Sequence, residues 1–123
     1  AILTYLTPEF PAFNLAKLAK SRQRYKEAEA FATLAIEKNW RYTPAYVLLA
    51  EILDKQGKSK DAVEWLKKGV ESDVDNIQLI LRLAESQLRV GEVNQAKNLF
   101  RRIIELNPKS DEARTARDYL DFL

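Results

Sequence analysis

A chain of 123 residues, 46% apolar and 31% charged, has enough apolar side chains for one folded core and too many for a disordered segment. Twenty basic residues against 18 acidic ones give a formal charge of +2, too small an imbalance to predict a nucleic-acid or anionic membrane partner. Cysteine, histidine and methionine are all absent. That excludes disulfides, thiolate metal sites, thiol nucleophiles and the usual neutral-pH proton shuttle.

The missing methionine at position 1 reads as a processed chain or a piece of a longer one. Its opening, Ala1-Ile2-Leu3-Thr4-Tyr5-Leu6, is apolar, but it is too short for a signal peptide and lacks the basic flank. No apolar stretch approaches the roughly 20 residues of a membrane span, so no direct membrane insertion is expected. The compartment stays open. Bacterial cytoplasm and periplasm fit equally, and the apolar start is compatible with a membrane-anchored parent protein.

In chain order, the pattern predicts seven helices. The first, 8–20, opens on Thr7-Pro8, a cap followed by a first-turn proline. The second covers 25–38. The third, 43–56, opens on Thr43-Pro44 and carries the stripe Leu49, Ala50, Ile52 and Leu53, spaced for one helix face. Lys55 to Lys60 then break the helix, with Gly57 where a C-terminus takes a left-handed residue and Ser59 as the expected next cap. The fourth, 59–72, carries Ala62, Val63, Leu66 and Val70. Asn76 is the expected cap of 76–89, the sixth helix covers 93–106, and Ser110 caps 110–122. In that last helix Ala113, Ala116, Leu120 and Leu123 make one apolar face.

An offset of thirty-four aligns the chain with itself without a gap, the mark of a repeat architecture. Leu15-Ala16 becomes Leu49-Ala50 and Leu83-Ala84. Ala28 becomes Ala62 and Ala96. Gly57 becomes Gly91, with Gln23 in the first copy. The alanines sit where two helices of a hairpin must cross closely, so a larger side chain would force them apart.

Thirty-four residues per helical hairpin, with Leu-Ala early, glycine at mid-repeat and alanine five residues later, resembles the tetratricopeptide repeat family. The third copy matches best. The second departs at Gly69 and Val74, where alanine and proline are usual, and the first at Gln23 and Trp40. The resemblance implies an all-α fold, a right-handed α-α superhelix of about seven antiparallel helices. Its divisions are a lead-in over 1–8, repeats over 9–42, 43–76 and 77–110, and a capping helix over 111–123.

The resemblance also implies an inner surface lined by the first helix of each repeat. Its rows are Phe13, Val47 and Leu81; Lys17, Glu51 and Glu85; Lys20, Asp54 and Leu88; and Ser21, Lys55 and Arg89. Phe10, Asn14, Leu48, Gln78 and Arg82 complete it. An apolar rail thus runs beside a mixed-charge rail, acidic in the middle and basic at both ends. Such a surface suits a partner peptide or helix with apolar anchors. The plainer alternative is that the leucines pack against neighbouring helices and the charges only solvate the surface. Some family members clamp a chaperone's C-terminal carboxylate here. Only Arg82 matches that pattern, while Phe13, Leu48, Glu51 and Gln78 do not, so chaperone-tail binding is not expected.

No chemistry competes with that reading. Asp73-Val74-Asp75-Asn76 lacks the glycine and glutamate of a calcium loop, having Gln78 and Ala84 instead. Glu51, Asp54 and Glu85 would need an enclosed site to act as acid and base. No cofactor, metal or enzyme activity is expected. The expected function is a protein-interaction scaffold within a larger assembly. Two alternatives stand behind it. Tyr5, Leu6, Phe10 and Phe13 form an apolar leading edge that would serve self-assembly. The basic cluster around Tyr25 would serve RNA binding, although Glu51, Asp54 and Glu85 interrupt a phosphate track.

Overall fold

A computed structural model describes residues 9–123, so Thr7-Pro8, Tyr5 and Leu6 lie outside the described residues. Those described form seven α-helices: α1 Glu9–Ser21, α2 Tyr25–Lys38, α3 Thr43–Lys55, α4 Ser59–Ser72, α5 Ile77–Arg89, α6 Val93–Leu106 and α7 Asp111–Phe122. Consecutive helices pack as antiparallel neighbours. Beyond these, close packing joins α1 to α3, α3 to α5 and α5 to α7. First helices therefore crowd along one side of the stack, which curves toward them. None of the described helices is long and apolar enough to cross a membrane.

The three hairpin turns are built alike. Arg24 N–H donates to the Ala19 carbonyl (2.9 Å), Lys58 to Leu53 (2.9 Å) and Glu92 to Gln87 (2.8 Å), the long backbone bond that closes a helix through a left-handed residue. The left-handed residues are Gln23, Gly57 and Gly91, at φ 61°, 76° and 87°. Only the first copy asks a residue with a Cβ to take this conformation, which costs about 1–2 kcal/mol.

This turn also corrects the expected cap at Ser59. The residue after the glycine is tied back to the previous helix and starts the next one at once. The N-cap is therefore Lys58, without a side-chain bond, and Ser59 lies inside α4. Thr43 is likewise inside α3, which begins after Tyr42 and takes Pro44 in its first turn. Asn76 and Ser110 do cap, accepting from Leu79 N–H (3.1 Å) and Ala113 N–H (3.0 Å). The hairpin-to-hairpin joints have room for a capping residue that the tight turns lack.

Ala16, Ala50 and Ala84 are buried together with Ala28, Ala62 and Ala96, as close crossing within each hairpin requires. The departure at Gly69 has a cause. A Cβ there would stand 3.0 Å from Tyr46 Cβ and Cγ and 3.3 Å from Leu79 Cδ2. Tyr46 is buried, and its hydroxyl donates to the Trp40 carbonyl at 2.6 Å. The same two register positions hold buried Ala12 and Ala35 in the first repeat, and Ile80 and Ile103 in the third. The largest side chain of the set thus faces the residue with none.

At the C-terminal end α7 buries Ala113 and Ala116 and half-buries Leu120. Leu123, expected on the same face, is the helix C-cap and is exposed, because the helix stops one residue short of it.

Two stability outcomes follow from these turns and crossings. Gln23→Gly removes the left-handed strain and should stabilise the chain by about 1 kcal/mol, raising the thermal midpoint by about 4 °C. Gly69→Val should cost about 2 kcal/mol by overpacking. Denaturant titration should show that cost shrinking in a Tyr46→Ala background, because the clash is with Tyr46 itself.

Candidate functional site

The first helices α1, α3 and α5 enclose a groove of about 850 Å³, with Glu112 of α7 reaching its edge. Phe13, Val47 and Leu81, the apolar row read from the repeat offset, all line it, as do Lys17, Glu51, Lys55, Gln78 and Arg82. Each member of the apolar row is half-buried, packed at its base and open toward the groove. Leu48 also lines the groove but is 7% exposed, so it belongs mainly to the core. Phe13 is held edge-on by Tyr42 at 5.2 Å between ring centroids, and Lys17 Nζ lies 5.4 Å from the Phe13 ring centre.

Lys20 and Ser21 line it as well, whereas Phe10, Asn14, Asp54, Glu85, Leu88 and Arg89 lie outside this lining. Phe10 packs edge-on to Tyr42 at 5.1 Å. Asn14 is exposed on α1. Asp54 is paired with Arg89 at 3.0 Å, and Leu88 packs against the core. Glu85 accepts a 2.8 Å hydrogen bond from Tyr119 of α7. These last-turn positions are drawn into contacts with the next hairpin, and the offset alone does not show those contacts. Conversely, the groove includes Gln23, Tyr25, Asn76 and Leu79. Reading only the rows of the first helices overlooks these, because they sit in turns, at a helix start or on the inter-repeat face. The signal available for Gln23 and Tyr25 is their place at the first turn, beside Ser21.

Glu51, the acidic middle, lies between Lys20 (2.7 Å) and Arg82 (3.8 Å), so α1, α3 and α5 are joined by one carboxylate. The lining carries Lys17, Lys20, Lys55 and Arg82 against Glu51 and Glu112, an excess of two positive charges. Lys17 and Lys55 make no ion pair among the described residues. The groove therefore carries a net positive charge, with the Glu51 carboxylate set between basic groups in its middle.

Residues 19–83 match one family model described as tetratricopeptide repeat, and residues 78–110 match another of the same description. The chain belongs to the tetratricopeptide repeat family. Among relatives, it is 36% identical over 98 residues to human Protein O-mannosyl-transferase TMTC3, covering 78% of this chain and 11% of that protein. The chain spans between 11% and 17% of the length of the curated relatives it matches.

Among solved structures, the Yersinia enterocolitica type III secretion translocator chaperone SycD superposes with a TM-score of 0.80. It covers 100% of this chain and 96% of its own at 16% identity. PcrH, solved in complex with the chaperone binding region of PopD, gives a TM-score of 0.74. It is 15% identical and covers 90% of this chain and 86% of its own. The likeness establishes the fold, the right-handed α-α superhelix of tetratricopeptide repeats.

In this tetratricopeptide stack the Tyr119–Glu85 bond helps fasten α7 to α5. Tyr119 also stacks on buried Phe100, with centroids 4.7 Å apart. The hydrogen bond to Glu85, then burial, raise the Tyr119 pKa above the ordinary phenol value. A raised phenol pKa favours the neutral form in the fold. Its contribution is fully present below about pH 10 and is lost as pH climbs through the raised value. Tyr119→Phe should cost about 1 kcal/mol at neutral pH. The gap to the parent chain should close above that range when both are melted as a function of pH.

Proposed function

We propose that this chain is a non-catalytic scaffold that seats a peptide or helix of another protein in the groove between α1, α3 and α5, as one part of a larger assembly. The observation that carries this reading is the open apolar row Phe13, Val47 and Leu81 set within a basic lining. Half-buried side chains on three successive repeats offer anchors in line, each packed below and uncovered above. An apolar side chain that buries them gains about 25 cal/mol for each Å² removed from water. The structurally similar PcrH holds a segment of PopD, which supports a polypeptide occupant.

The excess of positive charge favours a ligand that carries carboxylates beside its apolar anchors. Lys17 and Lys55 are the cations left to meet them, while Lys20 and Arg82 are engaged with Glu51. Coulombic matching of this kind chiefly sets orientation and encounter rate, and affinity comes from the anchors. Glu51 in mid-groove also interrupts any continuous track for a phosphate backbone.

Leu81→Glu places a charge in the apolar row without touching a buried core position. A peptide selected on the intact chain from a displayed library, labelled for fluorescence anisotropy, should bind this variant at least tenfold more weakly. Its far-ultraviolet circular dichroism should match the parent's. Unchanged affinity would remove the groove from consideration.

A further inference from the structure

The joints that follow each hairpin show a second surface. At one register position they carry Trp40, Val74 and Pro108. All three are exposed, Trp40 at 55% and Val74 at 52%. The backbone asks for none of that bulk. Each residue follows one in the same extended conformation: Asn39 at φ −151°, ψ 94°, Asp73 at −153°, 79°, and Asn107 at −151°, 84°. An extended residue is what a proline needs before it, and neither Trp40 N–H nor Val74 N–H donates a backbone bond among the described residues. The third copy uses proline here. The first two place an apolar side chain in solvent where proline would serve the turn.

These side chains stand on fixed backbone. The carbonyl at each position accepts one side-chain hydrogen bond of 2.6 Å, from Tyr46 Oη at Trp40, Arg102 Nη2 at Val74 and Arg117 Nη2 at Pro108. Arg41 N–H donates to Asn39 Oδ1 at 3.1 Å, and the Arg41 guanidinium lies 4.7 Å from the Trp40 ring centre. Tryptophan and arginine held rigid at a surface are the residue types that carry binding energy at protein interfaces.

The first two joints carry opposite charge. Residues 37–41 hold Lys38 and Arg41 against Glu37, whereas residues 71–75 hold Glu71, Asp73 and Asp75 with no cation. Lys38, Arg41, Glu71 and Asp73 make no ion pair among the described residues, and Asp75 meets Arg102 at 3.5 Å. The two joints close neighbouring hairpins, one packing step of about 10 Å apart. A two-fold axis between them sets Trp40 of one copy on Val74 of a second and brings Lys38 and Arg41 to the carboxylates around it. Symmetry makes the same contact twice, and opposite charges fix its register. Neither Trp40 nor Val74 lines the groove, so the groove stays open in such a pair.

We infer that the joint edge carrying Trp40 and Val74 is a self-complementary surface through which two copies of this chain pair about a two-fold axis.

Sedimentation equilibrium over a concentration series reaching the millimolar range tests this. The chain should show a monomer–dimer equilibrium. Trp40→Pro, which the backbone accepts, should weaken dimerisation at least tenfold with unchanged circular dichroism. Arg41→Asp should also weaken it, and adding Asp75→Arg to the same chain should recover most of the loss, a rescue that a purely structural role of either residue does not give. A chain that stays monomeric throughout would overturn the inference. So would a dimer that Trp40→Pro leaves intact and Leu15→Lys with Leu18→Lys dissolves, since that assigns the contact to the exposed leucines on the leading face of α1. Leu81→Glu should leave the dimer unchanged, and its loss in that variant would place the contact in the groove and overturn the inference as well.

Discussion

Two helices of a hairpin can approach closely only if the residues at their crossing are small, and this chain meets that condition once in every repeat, at the same register. Ala16, Ala50 and Ala84 are buried with Ala28, Ala62 and Ala96, so each hairpin is a narrow unit of the same width. Identical units stack with the same rotation at every step. That rotation brings α1, α3, α5 and α7 against one another and forms the groove. The shared backbone turn, closed at Arg24, Lys58 and Glu92, keeps the unit constant even where a glutamine takes the left-handed place of glycine.

Within that frame, variation is compensated locally. Tyr46 fills a position that other repeats give to alanine or isoleucine, and Gly69 opposite it has no side chain to collide with the ring. Ser86 and Gln87 bring polar atoms into a buried face whose equivalents in the second repeat are Ile52 and Leu53, and Ser86 Oγ and Gln87 Oε1 lack a protein partner there. Burying unpaired polar atoms costs stability. The third repeat, the best match to the family by sequence, thus carries a cost that its motif residues do not reveal.

The groove and the leading face draw on different residues of the same helix. On α1, Phe13 and Lys17 turn toward the groove while Leu15 and Leu18 face away from it. The aromatic edge singled out from sequence divides in the same way. Phe13 lines the groove, Phe10 leans on Tyr42, and the uncovered apolar area of α1 is centred on two leucines instead. The groove and the leading face of α1 therefore use separate side chains.

The sequence by itself determined the helices, their pairing, the small-residue crossings and the apolar row Phe13, Val47 and Leu81. The first three follow from short-range periodicity and a repeat spacing that is visible in one chain, and the place of that row on the inner surface is what the family resemblance implied. The left-handed turn at Gln23 was legible too, as a substitution in an otherwise constant position. Only the tertiary structure decided which charges remain available. Glu51 meets Lys20 from the repeat before it and Arg82 from the repeat after it, and Glu85 meets Tyr119 from the capping helix. Those partners lie on neighbouring repeats, so their meeting depends on the rotation between hairpins. A charge read along one helix carries no information about that rotation.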